Sequence, residues 1–177
     1  MAYTSSQVVQ AVPTGINSAL VLITSQSFSG SATVTVSNAF SATYKNYKVI
    51  LNNVLSASGT PDFLFKLGSA TTNYVWTLGN SSSTTFNGFS SGSAVATTIT
   101  MTYLHSTNAT QLSMEIIAPF LTQRTLLTNN SISYQSNGFW SMLASHNGAD
   151  SFTDFTLSNS GAVNMSGTLE VYGYTTS

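Results

Sequence analysis

Apolar and polar residues alternate with a period of two along most of this chain, and no stretch shows the 3.6-residue period of an amphipathic helix. In the longest example, apolar residues from Val95 to Tyr103 alternate with threonines. The same pattern recurs at residues 47–52 and 63–67. Because β-branched and aromatic residues suit a pleated, half-buried surface, the pattern predicts short strands rather than helices.

Residue pairs that favour tight turns separate these predicted strands. Asn87-Gly88, Asn137-Gly138 and Asn147-Gly148 can supply the positive φ that hairpin turns require. Eight to ten strands at this spacing predict an all-β fold, an antiparallel β-sandwich of jelly-roll type. Residues 1–18 show no sustained period, which predicts a short N-terminal arm or a frayed terminus before one sandwich domain at 19–177.

Charge is scarce along the whole chain. The 177 residues include four Lys or Arg and five Asp or Glu, whereas Ser, Thr and Asn number 30, 26 and 15. Four scattered cations cannot form the patch that tracks nucleic-acid phosphates, so we expect no nucleic-acid partner. The apolar run Ala19–Ile23 is far shorter than the roughly 20 residues of a membrane span, so we expect no membrane insertion. The absence of cysteine favours synthesis in a reducing cytoplasm.

Sequence matches to catalytic motifs are weak. Gly88–Gly92 has the G-x-S-x-G spacing of a hydrolase nucleophile at Ser90, but that motif requires a strand, a sharp turn and a helix. The β-branched run that follows predicts a strand instead. His105 and His146 are the only histidines, so one chain cannot supply a three-histidine zinc site. We therefore expect a protein that is not an enzyme, with no catalytic residues and no cofactor.

Carboxylates offer one metal hypothesis. His146, Asp150 and Asp154 are the densest cluster of candidate ligands, and the two aspartates with loop carbonyls could hold calcium. The alternative, which we favour, is a solvated loop that leads into a strand, with no metal. Glu115 and Glu170 fall within predicted strands on the face opposite the apolar residues, where exposure or an interface explains them.

Two tryptophans are the candidate contacts for a glycan or a protein partner. Trp76 and Trp140 have the ring size to stack on a sugar, although aromatic residues at period-two positions usually pack in a sandwich core. A host-surface glycan-binding module is therefore the alternative function to a purely structural one.

Three stretches carry a resemblance to a known family. They are Phe40–Val49, Pro119-Phe120 followed by Thr125, and Ser151–Tyr174. Together they resemble a family of tailed-bacteriophage virion proteins described as tail, fibre or capsid-decoration proteins. Members close on a G-T-I-x-V-Y-G-Y ending, which is similar to Gly167–Tyr174 here, and commonly carry Asp where this chain has Lys45.

The resemblance implies a structural virion component built on a β-sandwich, with no catalytic residues. Such a protein is made in the host cytoplasm and exposed on the particle, on the capsid exterior or in the tail or fibre. We expect a homo-oligomer, a trimer, that contacts capsid or tail proteins through residues 1–18. The segments Gly79–Ser93 and Asn137-Gly138 are predicted as outward-facing display loops. A surface with few ions suits this role, because identical copies can pack together without desolvating charges.

Overall fold

The computed structural model describes residues 19–82, 85–133 and 138–175, so the predicted arm at 1–18 lies outside the described residues. The predicted all-β class is confirmed, because these residues form two antiparallel sheets packed together and contain no helix. The described strands number twelve, more than the eight to ten predicted. They are β1 (Leu20–Ser31), β2 (Thr33–Val36), β3 (Asn46–Ser56), β4 (Asp62–Leu67), β5 (Tyr74–Ser82), β6 (Thr85–Ala96), β7 (Ile99–Tyr103), β8 (Thr110–Ile117), β9 (Thr125–Ser133), β10 (Gly138–His146), β11 (Phe155–Asn159) and β12 (Met165–Tyr174).

The strand order confirms the jelly-roll topology. The smaller sheet has the order β2-β11-β4-β7, and the larger has the order β1-β12-β3-β8-β9-β10-β5-β6. The first four strands of the larger sheet pack against the four strands of the smaller sheet, and these eight strands form the jelly roll. Its chain alternates between the sheets, so that β1 and β2, β3 and β4, β7 and β8, and β11 and β12 lie in opposite sheets. The remaining four strands belong to two hairpins, β5-β6 and β9-β10, inserted into the jelly roll. They account for the excess over the predicted count, and they extend the larger sheet beyond β8.

The period-two pattern becomes burial between the two sheets. On β4, Phe63, Phe65 and Leu67 are fully buried, and β11 brings Phe155 within 5.2 Å of the Phe65 ring, centroid to centroid. The same alternation buries one face of each strand of the larger sheet that packs on the core. The buried apolar residues of β3, β8 and β12 are Tyr47, Val49, Leu51, Val54, Leu112, Met114, Ile116, Met165, Leu169 and Val171.

Polar side chains on the inner face of the larger sheet join the two sheets by hydrogen bonds. The Nδ2 of Asn129 on β9 donates to the Met101 carbonyl on β7 at 3.2 Å. The Ser133 and Thr110 hydroxyls both donate to the Tyr103 carbonyl, at 2.8 and 3.2 Å. Because β7 is an edge strand of the smaller sheet, these bonds satisfy carbonyls that its own sheet leaves unpaired.

Two turn predictions were wrong. Asn87-Gly88 lies inside β6, where Asn80 pairs with Asn87 and Gly79 with Phe89, so Gly88 is the extra residue of a β-bulge. The predicted display loop Gly79–Ser93 is consequently the β5-β6 hairpin in its described part. Asn147-Gly148 does not form a hairpin either, because the chain crosses there from β10 in the larger sheet to β11 in the smaller.

One predicted strand is two strands in the structure. The run from Val95 to Tyr103 is interrupted at Thr97-Thr98, between the end of β6 in the larger sheet and the start of β7 in the smaller. Because the chain changes sheets at Thr97-Thr98, one period-two run contributes residues to both sheets. Of the predicted turn and display segment Asn137-Gly138, Gly138 begins β10 and pairs with Ser133, and Asn137 lies outside the described residues.

Candidate functional site

The two sheets present outer faces of opposite character. The outer face of the smaller sheet is polar, and it carries Thr33, Thr35, Lys66, Thr156 and Ser158. Every exposed large apolar side chain that the structure describes lies instead on the outer face of the larger sheet. These residues are Leu22, Val75, Ile117, Leu126, Ile132, Phe139 and Leu143. Because exposed apolar residues are normally scattered, their restriction to one sheet face marks that face as the candidate functional site.

One apolar cluster, here called the groove patch, consists of Val75, Ile117, Leu126 and Leu143. Leu126 lies opposite Ile117 across β9 and β8, and Leu143 lies on β10 between β9 and β5. These four side chains line a shallow groove of about 560 Å³. Leu143 is 62% exposed, so most of its surface is available to a partner.

A second cluster, here called the ridge patch, lies nearer the other end of the same strands and consists of Ile132 and Phe139, which border a second groove of about 300 Å³. The two residues are direct cross-strand partners on β9 and β10, and they are 63% and 47% exposed. Asn130 and Ser141, also cross-strand partners, separate the ridge patch from the groove patch. The face therefore has two apolar clusters with a narrow polar band between them.

Charged groups on this face lie on the jelly-roll strands and are paired. Lys48 Nζ donates to Glu115 Oε1 at 2.9 Å, and the Tyr174 hydroxyl donates to Glu115 Oε2 at 2.6 Å. The Tyr172 hydroxyl donates to Glu170 Oε2 at 2.7 Å. Burial and the bond to Glu115 raise the pKa of Tyr174 to about 12, and the bond to Glu170 raises the pKa of Tyr172. The expectation that Glu115 and Glu170 lie opposite the apolar face of their strands is confirmed.

The structure places the two tryptophans on the inner side of the inserted hairpins. Trp140 is 8% exposed, and its ring packs edge-on against Tyr103 at 4.9 Å between centroids. Trp76 is half-buried and packs against the core, on the side of β5 opposite the groove patch. Trp140 thus has little surface left for a sugar, whereas Trp76 is partly accessible. Glycan contact at either residue stays a prediction.

The predicted metal cluster is only partly brought together. His146 is buried between the rings of Tyr74 and Phe152, both 5.0 Å away between centroids, and its Nε2 lies 3.8 Å from Asp150 Oδ2. Asp150 and Asp154 line a polar cavity of about 440 Å³. Across residues 19–82, 85–133 and 138–175, no three His, Asp or Glu side chains meet as ligands would. Calcium binding remains a hypothesis without a formed site in this region.

Two other candidates from the sequence occupy ordinary positions. The Gly88–Gly92 segment is extended backbone within β6, so the strand-to-helix turn that exposes a nucleophilic serine is missing around Ser90. His105 lies in the β7-β8 loop, where its Nδ1 accepts a hydrogen bond from the Thr107 amide at 3.1 Å.

Sequence reasoning missed the groove and ridge patches, although a signal for them exists. On β10, Phe139 and Leu143 fall in one alternation phase while Trp140 and Met142 fall in the other, so the strand is apolar on both faces. Strands that are buried on both faces show this pattern, whereas a half-exposed antiparallel strand alternates. Two-phase apolar character in β10 is therefore the sequence signal that its outer face carries exposed apolar residues.

Comparison with known proteins identifies no family. No family model matches the chain, and no curated protein matches it. A solved structure of a protein of unknown function from Shewanella oneidensis MR-1 aligns over 88% of this chain and 75% of its own, with 12% identity and a TM-score of 0.23. That likeness is too low to support a functional argument. The part of the chain that the structure describes holds no helix able to cross a membrane.

Proposed function

We propose that this chain is a non-enzymatic structural component of a tailed-bacteriophage virion, a homo-oligomer on the capsid exterior or in the tail or fibre. The observation that carries the proposal is the outer face of the larger sheet, which gathers all described exposed large apolar residues. A surface of this kind serves association with another protein surface rather than chemistry on a small substrate. The resemblance at Phe40–Val49 and Ser151–Tyr174 supplies the viral context.

The charge distribution supports an assembled rather than a freely diffusing protein. With nine charged residues in 177, the chain has little of the repulsion that keeps soluble monomers apart. The acidic groups on the outer face, Glu115 and Glu170, are already held by hydrogen bonds within the chain. Packing against a neighbour therefore requires little new desolvation of ions.

Placement in the particle follows the same proposal. The protein is made in the host cytoplasm and joins capsid or tail proteins, with residues 1–18 as the anchor and three copies per assembly. Mass spectrometry and immunogold labelling of purified virions from a strain that carries the gene test it. We expect the protein in the particle at a fixed site, and a variant lacking residues 1–18 to be absent from particles. Virions without the full-length protein would overturn the proposal.

A receptor-recognition role is the second candidate, and one observation favours it. Trp76 packs against the core on the inner side of β5 but is only partly buried, so part of its ring is accessible for stacking on a sugar. A glycan array probed with the oligomer tests this role, with Trp76→Ala as the comparison. Binding that is lost in the variant would favour recognition, and no binding at high avidity leaves the structural role alone.

A further inference from the structure

Within that proposed function, on which this inference rests, we infer that the outer face of β8, β9, β10 and β5 packs against the same face of a second copy of the chain. Three of these strands belong to the hairpins inserted into the jelly roll. They carry five of the seven exposed large apolar residues, namely Val75, Leu126, Ile132, Phe139 and Leu143. The inserted hairpins thus supply the contact, while the eight jelly-roll strands supply the frame.

The size of this face suits a contact between two copies. Four strands at about 4.8 Å spacing, each about nine residues of 3.3 Å, cover roughly 570 Å². Two such faces placed together remove about 1,100 Å² from solvent, which exceeds the roughly 1,000 Å² expected of a specific protein interface. Sheets of this kind pack face to face at about 10 Å, the distance at which side chains such as Leu143 and Phe139 interdigitate.

The scarcity of charge on this face favours a second copy of the chain as the partner. The outward positions of β9, β10 and β5 hold apolar residues, Ser, Thr, Asn and Gly, with no Lys, Arg, Asp or Glu at any described position. Glu115, the nearest acidic group, on β8, is already held by Lys48 and Tyr174. Apart from Arg124, which is exposed just before β9, a nucleic acid, a charged peptide or an anionic lipid surface would find no complementary charge here. A second copy brings the same neutral surface, so neither side buries an unpaired ion.

The two patches and the band between them fit a two-fold arrangement. An axis that runs across the strands along the Asn130-Ser141 band places the ridge patch of each copy over the groove patch of the other. Phe139 and Ile132 then fill the groove lined by Leu143 and Leu126, and the contact is made twice. Amide and hydroxyl groups meet near the axis, where they can pair across it. With a separate three-fold contact that forms the predicted trimer, this two-fold contact would join the copies of one trimer to those of another.

Substitutions on the two outer faces test this contact in the full-length chain. Sedimentation velocity over a range of concentrations should show wild-type dimers or larger assemblies. Leu143→Asp and Phe139→Asp, which place a charge in the contact, should weaken association about a hundredfold or more. Thr35→Asp, on the polar outer face of the smaller sheet, should leave association unchanged. Leu143→Ser and Phe139→Ser remove the apolar side chain without adding a charge. If these variants dissociate while fully folded, the loss of association cannot be attributed to unfolding.

Cross-linking tests the arrangement itself, because the natural chain contains no cysteine. Ser141→Cys should be joined between copies by a short bis-maleimide, whereas Thr35→Cys should remain uncross-linked. A wild-type chain that stays monomeric, or oligomers unaffected by both Asp variants, would overturn the inference. The inference would also be overturned if the protein entered virions as a monomer and replacement of Leu143 prevented that entry. Such a result would show that another virion protein covers the face. Absence from virions is the separate failure of the proposed function.

Discussion

The hydroxyl of Tyr74 is hydrogen bonded to both backbone groups of Leu67: it accepts from the amide at 2.8 Å and donates to the carbonyl at 3.3 Å. Tyr47 makes the same pair of bonds with Ser41, at 2.7 and 2.8 Å. Leu67 ends β4 in the smaller sheet, and Tyr74 begins β5 in the larger. The Tyr74 side chain therefore fixes the corner at which the chain enters the first inserted hairpin.

Replacement of Tyr74 by Phe should lower the free energy of unfolding by about 1–3 kcal/mol, because it leaves the buried Leu67 amide without this acceptor, while the Leu67 carbonyl still accepts from the Ala70 amide at 3.1 Å. Urea unfolding followed by tryptophan fluorescence measures the loss. Tyr172→Phe removes a hydroxyl on the outer face, where water replaces it, and should change stability much less. Equal unfolding midpoints for wild type and Tyr74→Phe would contradict the assigned role.

Tyr174 should titrate well above the ordinary tyrosine pKa. Its pKa of about 12, raised by burial and by the bond to Glu115, exceeds the value near 10 of an unfolded chain. The neutral phenol is thus favoured in the folded state, so its stabilisation is complete below pH 10 and is lost between pH 10 and 12. Phenolate absorbance, as wild type minus Tyr174→Phe, should show the late transition. Glu115→Gln should move that transition toward 10, and an unchanged transition would refute the assigned coupling.

Gly173 should tolerate no side chain while Tyr44 is present. A Cβ at position 173 would overlap the Tyr44 ring, so Gly173→Ala should cost about 1–3 kcal/mol of stability through overpacking. A double-mutant cycle with Tyr44→Ala measures the coupling. The cost of Gly173→Ala should nearly vanish when the ring is absent, and an undiminished cost would point to the backbone instead.

Asn129 and Asn130 should respond in opposite ways to the same substitution. Asn129 is 2% exposed and donates to the Met101 carbonyl, so Asn129→Ala should cost about 1–3 kcal/mol. Asn130 is the next residue of β9 but is exposed on the outer face, so Asn130→Ala should be nearly neutral for folding. Thermal unfolding of both variants checks the difference, and similar losses would show that the inter-sheet bond contributes little.

The fold was predictable to the extent that it depends on local pattern. Period-two alternation correctly assigned the buried faces of strands such as Phe63–Leu67, because the alternation of apolar and polar residues within a strand specifies which of its faces is buried. The length of each strand was less accessible. Thr97-Thr98 divides a continuous period-two run, since the chain moves from the larger sheet to the smaller sheet there. Asn87-Gly88 is compatible with both a turn and a bulge, and the pairing with β5 decides between them.

The candidate site was not predictable from local pattern alone. Alternation tells which residues share a face, but the sheet order decides which faces are covered, and that order joins segments far apart in the chain. Leu143, on β10, lies on an open face because the four-stranded sheet packs on the opposite side of the inserted hairpins, where Trp140 and Met142 are buried. Ile117, near the end of β8, joins the groove patch only through its pairing with Leu126.

The pairing of β1 with β12 sets the order of events during synthesis. Leu20 lies opposite Tyr174, and the Thr175 amide donates to the Ala19 carbonyl. The first described strand therefore cannot pair in its sheet until the last strand has been synthesised. A ribosome must translate almost the whole domain before β1 finds its neighbour, and closure over so long a loop is slow. Until then β1 is an uncharged, twelve-residue strand open to pairing with other nascent chains. If nascent chains misassemble, we therefore expect β1 to be the strand that pairs wrongly, and slower translation to lengthen its exposure.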